Sequence, residues 1–262
     1  MPFTLAHPAA VLPLRGIAGL RTAPLIIGAM IPDVTYYVPG AAGHVLSRFP
    51  ETHRFAGSYT TCLVLGYALL VAVFLLRRPL TALLSVRARG LCLGALAPFS
   101  GRPLEWLLAP LAILLGIWTH LLWDSFTHSD GWTVHRVSAL SAPVVIGPYT
   151  GTVYHVLQYL SSVFGMTVMV IWYWRLPAAP APEAEAGAVR SAVGPVLLLV
   201  GAAAILIGAV QATEYFGHTH YVYRTVTLFL THSIAWFAAL YLVAGIIVTL
   251  EEAHEGAADT RA

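Results

Sequence analysis

Long uncharged apolar stretches constrain this chain more than any other feature of its sequence. A helix needs about 20 mostly apolar residues to cross the roughly 30 Å hydrocarbon core of a bilayer. Within hydrocarbon, a helix also satisfies its own backbone hydrogen bonds. Five stretches approach or reach this length: residues 60–76, 104–123, 153–174, 191–213 and 225–250. The sequence therefore predicts an all-α fold, a polytopic transmembrane helix bundle of about five spans.

The composition agrees with a membrane protein and argues against an ordinary soluble enzyme. Hydrophobic residues make up 58% of the 262 residues and charged residues only 10%, against roughly 25% charged residues in a typical soluble domain. All 14 basic residues are arginines, and with 12 acidic residues they leave a formal net charge of +2. Because nucleic acid binding requires a concentrated basic surface, nucleic acid is not an expected partner.

The N-terminal segment, residues 7–33, lacks a run of spanning length because Arg15, Arg21 and Pro24 interrupt its apolar pattern. Two short helices with a hinge at residues 16–21 fit this pattern better, so we expect an N-terminal helical hairpin. The basic residues follow the first apolar stretch and no small-residue cleavage site comes after it, which is unlike a secretory signal. We therefore expect the segment to be retained.

Arginine placement predicts the orientation, because Lys and Arg near span ends favour the cytoplasm. Alternating spans place the larger group of arginines on one side: Arg77, Arg78, Arg87, Arg89, Arg102, Arg175 and Arg190. A smaller group falls on the other side: Arg48, Arg54, Arg136 and Arg224. We therefore expect the first side to be cytoplasmic.

Composition also divides the chain into four segments. We expect residues 1–175 to form a membrane-embedded module that contains the candidate metal site. Residues 176–190 are rich in Ala, Pro and Glu, which is typical of a flexible linker. Residues 191–250 would form two trailing transmembrane helices, and residues 251–262 a polar C-terminal tail.

Ionisable residues collect near the span ends on the side opposite the larger arginine group. A charged residue in or at the edge of a span is costly, so by default it is paired or functional. The predicted topology brings residues from separate segments to this side: Asp33, His53, His120, Asp124 and His128, joined by His7 if the N-terminal segment is a hairpin. One membrane face would therefore carry several imidazoles and two carboxylates.

The sharpest local pattern is His120-Leu-Leu-Trp-Asp124-Ser-Phe-Thr-His128, whose polar residues stand four apart. Residues at this spacing share one helix face with Cβ atoms about 5–6 Å apart, so they can bind one ion. The same spacing also fits capping, ion pairing and ordinary hydrogen bonding. A metal site is favoured only because Asp33 and His53 are predicted to lie on the same membrane face. A mixed imidazole and carboxylate set suits zinc, which we favour, with magnesium or manganese as alternatives. The predicted metal ligands are His7, Asp33, His53, His120, Asp124 and His128.

Other histidines lie outside this pattern. Glu214, His218 and His220 fall in a short loop before the last span, where a solvated loop is the simpler interpretation. His232 lies inside the last span, and we expect it to make a hydrogen bond in helix packing.

Several motifs resemble those of the DUF4184 family of bacterial integral membrane proteins. They are MPFTLAHPAAVLPL at residues 1–14, IIGAMIPDVTYY around Asp33, Thr52-His53, THLLWDSFTHSDGW at residues 119–132 and VLQYLSS at residues 156–162. The resemblance covers about the first 175 residues, and the last two spans are generic. It implies a protein of the bacterial inner membrane, and the arginine placement predicts that the site lies on the extracytoplasmic side of this multi-pass chain.

That family is similar to the inner-membrane metal-dependent hydrolases of the DUF457 group, which share a His, a Pro-Asp, a Thr-His and a His-x-x-x-Asp in the same order. A more distant similarity is to zinc-dependent phospholipase C, whose ligand pattern has counterparts here at Asp33, His53, His120, Asp124 and His128, with His7 as a further candidate. The last His-x-x-x-Glu of that pattern is incomplete, since Tyr159 follows His155. The similarity therefore implies one or two ions.

These features together predict a membrane-embedded, metal-dependent hydrolase that acts on a lipid phosphoester or similar amphiphilic head group through metal-activated water. Either Asp33 or Asp124 would be the catalytic general base. One alternative is a metal-dependent transferase or cyclase that acts on an isoprenoid diphosphate, and another is a non-enzymatic membrane scaffold or carrier. The expected partner is thus a membrane lipid or isoprenoid substrate, and the sequence indicates no oligomeric state.

Overall fold

A computed structural model of the protein describes residues 4–17, 19–38, 52–177 and 188–259. Eight helices in this part of the chain are labelled α1 (Thr22–Met30), α2 (Phe55–Leu75), α3 (Arg77–Ala82), α4 (Val86–Leu96), α5 (Pro103–Thr127), α6 (Val153–Arg175), α7 (Ala188–Thr219) and α8 (Val222–Asp259). Shorter 3-10 segments occupy Thr4–Gly16, Ile31–Tyr37, Ala97–Ser100 and Ser138–Ser141. The predicted all-α class is confirmed.

Five helices are long and apolar enough to cross a membrane: Phe55–Leu75, Pro103–Thr127, Val153–Arg175, Val193–Thr219 and Arg224–His254. Their mean hydropathy lies between 1.4 and 2.5, so the chain is a multi-pass membrane protein. The second span continues past its predicted end at residue 123 to Thr127. It continues because Asp124 is buried within the protein and does not mark a boundary with water.

The chain divides into two compact units. Unit 1 comprises Met1–Val34, Ser47–Val71 and Pro98–Pro177, and unit 2 comprises Thr35–Leu46, Ala72–Ala97 and Ala178–Ala262. All six predicted metal ligands belong to unit 1. The four segments expected from composition stay a prediction. Arg48 and residues 178–187 of the expected linker lie outside the described residues.

The N-terminal segment of unit 1 forms the expected hairpin. Its first arm, Thr4–Gly16, is a 3-10 helix that contains Pro8 and Pro13, each of which removes a donor and clashes with an α-helical turn. The turn contains Gly19 at a φ of 85°, a left-handed conformation that favours glycine. Helix α1 is the second arm, so the chain returns to the end from which it started.

The hairpin packs along α5, and two contacts define the direction in which it runs. At its tip, the Arg21 guanidinium pairs with Glu105 in the first turn of α5. At its base, the Ala29 carbonyl accepts a hydrogen bond of 2.8 Å from the His120 ring near the far end of α5. Helix α1 therefore runs parallel to α5. The first arm is roughly 26 Å long at about 2.0 Å per residue.

Glycines bring α1 and α5 into backbone contact. A Cβ atom at Gly116 would overlap the Leu25 carbonyl oxygen, and one at Gly28 would overlap the Ile113 carbonyl. Small residues at a helix interface allow this approach. Val11, Leu20, Leu25, Ala29 and Ala112 form the buried apolar cluster beside the contact.

Unit 2 contains helices α7 and α8, which pack along one another. Helix α3 packs against α8 through Ala82, Leu83 and Val248. The Tyr241 hydroxyl donates a hydrogen bond of 3.0 Å to the Leu80 carbonyl. None of the predicted metal ligands belongs to this unit.

A short antiparallel hairpin joins α5 to α6, formed by β1 (Pro143–Ile146) and β2 (Tyr149–Thr152). The sequence analysis did not predict it. The signal that could have indicated it is the run Val144-Val145-Ile146 before Gly147-Pro148, because β-branched residues favour strands and Gly-Pro favours turns.

We expect Gly116→Ala to destabilise unit 1 by about 1–3 kcal/mol, because the added methyl group forces α1 away from α5. The readout is the thermal unfolding temperature of the purified protein in detergent. The matched control is Gly94→Ala in α4, where nothing lies within 4 Å of the added methyl group. This control is expected to leave stability unchanged or to raise it by up to about 1 kcal/mol. Equal unfolding temperatures for Gly116→Ala and the wild type would contradict the backbone contact.

Candidate metal centre

Four of the six predicted ligands meet at one point in unit 1. One ligand atom each from Asp33, His53, His120 and Asp124 lies within 4.8 Å of the others. Asp33 follows α1, His53 precedes α2, and His120 and Asp124 occupy one face of α5. Three separate segments therefore supply this group, which we call the four-residue group.

Both imidazoles of the group present Nε2 to both carboxylates. The His53 Nε2 atom lies 3.1 Å from Asp33 Oδ1 and 3.7 Å from Asp124 Oδ2. The His120 Nε2 atom lies 3.7 Å from Asp33 Oδ1 and 3.2 Å from Asp124 Oδ2. The two nitrogens and the two oxygens therefore surround a small common space.

The backbone of α1 orients the His120 ring. Its Nδ1–H donates to the Ala29 carbonyl. When the ring is neutral, the lone pair of Nε2 therefore faces two carboxylates. Within the described residues, neither His120 Nε2 nor either oxygen of Asp124 makes a hydrogen bond of acceptable geometry. His120 is fully buried and Asp124 is 7% exposed. A lone pair beside two buried carboxylates is repulsive unless a cation or a proton lies between them.

His7 and His128 lie at the other oxygen of Asp124. The His7 Nε2 and His128 Nδ1 atoms are each 3.5 Å from Asp124 Oδ1. The His7 ring stacks on the His120 ring with centroids 3.8 Å apart. His7 is buried, and neither of its ring nitrogens makes a hydrogen bond with the described residues. These two imidazoles border the four-residue group without belonging to it.

The model of the family "Domain of unknown function (DUF4184)" matches residues 1–250 of this chain. The chain belongs to the DUF4184 family. The match extends beyond the first 175 residues to both trailing spans, so the family covers more of the chain than the motifs indicated. No curated protein and no solved structure matches the chain. The similarities to the DUF457 group and to phospholipase C stay predictions.

Two residues that the sequence analysis did not single out contact predicted ligands of this DUF4184 protein. The Thr4 hydroxyl donates a buried hydrogen bond of 2.7 Å to Asp33 Oδ2. The Gln158 side-chain amide lies 3.2 Å from His128 Nε2. Both residues occur inside motifs that carry the family resemblance, MPFTLAHP and VLQYLSS, and this was the available signal.

Burial and hydrogen bonding set the charges of the groups outside the spanning helices. Burial alone would raise the pKa of Asp33, but the hydrogen bond from His53, the nearby His120 and the Thr4 hydroxyl together lower that pKa to about 2. Burial lowers the pKa of His7 to about 4 and also lowers the pKa of His128. An ionised Asp33 and a neutral His7 are the protonation states that metal ligands require.

The site opens along one edge. The side chains of His53 and His128 are each 27% exposed, whereas those of Asp33 and Asp124 are 3% and 9% exposed. His53 directly precedes α2 and His128 directly follows α5, so this edge lies at the ends of two spans. Any substrate would approach Asp124 between these two rings.

The remaining candidate histidines do not join the cluster. His155 is exposed and contacts the Tyr154 ring. Glu214 and His218 lie in the last turns of α7, which continues to Thr219, so the expected loop there is shorter than predicted. The Nδ1 atom of His232 lies 2.8 Å from the Gln211 side-chain oxygen, the expected hydrogen bond between packed helices.

We expect Thr4→Val to destabilise the protein by about 1–3 kcal/mol, because the buried Asp33 carboxylate loses its hydroxyl donor. Thr4→Ser retains a hydroxyl group and should stay closer to the wild type. The measurement is thermal unfolding in detergent with a chelator present, so that bound metal does not contribute. If Thr4→Val and Thr4→Ser unfold at the same temperature, the hydrogen bond to Asp33 does not support the site.

Proposed function

We propose that this DUF4184 protein binds a divalent metal ion, with zinc favoured, through Asp33, His53, His120 and Asp124. We further propose that it is a hydrolase that acts on a lipid phosphoester or a similar amphiphilic head group. The observation that carries the proposal is the buried His120 Nε2 atom, which faces two carboxylates with no hydrogen bond within the described residues.

The spacing of the ligand atoms fits an ion. Zinc binds nitrogen and oxygen ligands at about 2.0–2.2 Å in a tetrahedron, which separates neighbouring ligand atoms by roughly 3.4 Å. The four nitrogen-to-oxygen distances in the group are 3.1, 3.2, 3.7 and 3.7 Å. A divalent cation would also neutralise two carboxylates that are buried in a chain with no lysine.

The cluster has capacity for a second ion. His7 Nε2 and His128 Nδ1 face Asp124 Oδ1, whereas the four-residue group uses Asp124 Oδ2. An ion at Oδ1 would account for the buried His7 Nε2 atom. The six predicted ligands therefore support one or two ions, with magnesium or manganese as alternatives to zinc.

A bound divalent ion would polarise a phosphoryl or acyl oxygen and lower the pKa of water. If Asp33 Oδ1 and Asp124 Oδ2 held one ion, the second oxygen of Asp33, Oδ2, would still accept the hydrogen bond from Thr4. Asp124 Oδ1 accepts none within the described residues. Asp124 is therefore the better candidate for the general base, with Asp33 as an orienting ligand.

An exposed aromatic cluster close in sequence to His53 and His120 supports an amphiphilic substrate. The rings of Phe55, Tyr59 and Trp118 contact one another with centroids 5.3–6.0 Å apart. Phe55 is two residues from His53, and Trp118 is two residues from His120. Phe55 is 63% exposed at the start of a span, where aromatic rings favour the membrane interface. Lipid tails could pack here while the head group reaches the open edge of the site.

The arginine distribution supports a location in the bacterial inner membrane with the site on the extracytoplasmic side. His53 precedes the first span, and Arg77 and Arg78 follow it. The open edge and these arginines therefore lie at opposite ends of α2. Because arginines near span ends favour the cytoplasm, the site would face the outside.

An isoprenoid-diphosphate transferase or cyclase is a weaker candidate, because the four-residue group contains only two carboxylates. A non-enzymatic scaffold or carrier would use the same residues for binding alone. The two experiments below separate these functions.

Metal content is expected to depend on the four-residue group. The detergent-purified wild type should retain at least one equivalent of metal, and His120→Ala and Asp124→Ala should retain none. His155→Ala is the matched control and should bind like the wild type, because His155 is exposed outside the cluster. Elemental analysis after dialysis gives the result. A wild type that binds no divalent ion, or variants that keep theirs, would exclude this metal site.

The same measurement tests the second ion. If the wild type binds two equivalents of metal and His7→Ala binds one, the second ion is supported.

Activity is expected as phosphate release from a lipid phosphate in mixed micelles. Asp124→Asn should lower the rate by about 10²-fold or more, the usual contribution of a general base. Conversion of an isoprenoid diphosphate to a hydrocarbon without phosphate-monoester hydrolysis would favour the transferase or cyclase. Metal binding without turnover of either substrate class would favour the scaffold or carrier.

A further inference from the structure

The β1–β2 hairpin carries exposed aliphatic side chains at its tip. Val145 is 70% exposed and Ile146 is 63% exposed. Val145 pairs with Thr150 and Ile146 pairs with Tyr149. Because successive strand residues point to opposite faces, both faces of the ribbon carry an exposed aliphatic group at this end.

The hairpin is attached rigidly to a membrane span. Helix α6 begins at Val153, directly after β2, and the Val153 N–H donates a hydrogen bond of 3.1 Å to the Ala142 carbonyl before β1. Each strand has four residues, so the tip lies about 13 Å from the start of α6. The start of a span marks the membrane surface, and the tip is therefore within reach of the lipid head groups.

The connection between α5 and α6, residues 128–152, has a sequence that suits lipid better than water. Residues 137–152 contain no Asp, Glu, Lys or Arg. Earlier in the connection, the Trp132 ring is 62% exposed and the Arg136 guanidinium lies 4.3 Å above it. Tryptophan and arginine are typical anchors at the membrane interface. An isolated two-stranded ribbon is marginal in water, so an apolar environment would stabilise it.

We propose that the tip of the hairpin, residues 145–148, inserts into the interfacial region of the leaflet at which α5 ends. The bilayer is the occupant that the fold itself supplies, because spans α5 and α6 flank the hairpin. The connection begins at His128, on the open edge of the candidate metal centre, so the contacted leaflet is the one next to that edge. The proposal is independent of metal binding and of hydrolysis.

The test uses an environment-sensitive fluorophore at the tip. Cys92→Ser removes the exposed native cysteine, whereas Cys62 is buried and stays in place. Ile146→Cys is then labelled with nitrobenzoxadiazole, and the protein is placed in phosphatidylcholine nanodiscs with or without doxyl-labelled lipid. Asp130→Cys is the matched control, since it is an exposed, charged position in the same connection.

The label at position 146 should lose more than about half of its emission to the doxyl lipid and resist aqueous iodide, as expected for a residue at the headgroup and acyl boundary. The label at position 130 should show the reverse. Iodide quenching at position 146 equal to that at position 130 would overturn the proposal. Protection of position 146 from both quenchers would also overturn it, because protein, and not lipid, would then surround the label. Val145→Cys repeats the measurement at a neighbouring position, and variants are compared only when their size-exclusion profiles match the wild type.

Discussion

The backbone contact between α1 and α5 is the constraint on which the candidate site depends. Gly28 and Gly116 have no side chain at the crossing, so the two helices approach until carbonyl groups lie where Cβ atoms would otherwise stand. This approach brings the Ala29 carbonyl to the His120 ring and sets Asp33, three residues beyond Met30, opposite Asp124. The hydrogen bond then fixes which ring nitrogen of His120 faces the carboxylates, as outer hydrogen bonds do for histidine ligands in general. A wider crossing would separate the two halves of the four-residue group.

The electrostatics of the cluster follow from that geometry. Two carboxylates and several imidazoles share a buried space, and only some of their nitrogen and oxygen atoms make hydrogen bonds. Asp33 is held by Thr4 and His53, whereas Asp124 has contacts of 3.2–3.7 Å with four rings and no hydrogen bond of good geometry within the described residues. Buried polar groups are normally hydrogen-bonded, and exceptions in native proteins need a specific explanation. The proposed divalent cation would account for His120 Nε2 and the two Asp124 oxygens together.

Much of the fold and part of the site could be predicted because those features are local. The five spans follow from apolar length, and the approach of His120 to Asp124 follows from a spacing of four on a helix. The extension of α5 to Thr127 was not predicted, because a charged residue normally marks the point where a span meets water. Asp124 is instead buried within the protein. The β1–β2 hairpin was not predicted because the run Val144-Val145-Ile146 is too short to show the alternation of a half-buried strand. Thr4 and Gln158 were missed because a hydroxyl or amide partner distant in sequence leaves no spacing pattern.

The sequence by itself determined the number of spans, the collection of ionisable residues near the ends of spans, and the helix face shared by His120 and Asp124. These properties depend on hydrophobic length and helix period, which neighbouring residues set. Only the tertiary structure decided that Asp33 and His53 complete a four-residue group around one oxygen of Asp124, and that His7 and His128 lie at the other oxygen. Such distances change by ångströms with the separation of two helices, and that separation is set by packing between segments more than 80 residues apart in the chain, as Ala29 and His120 are.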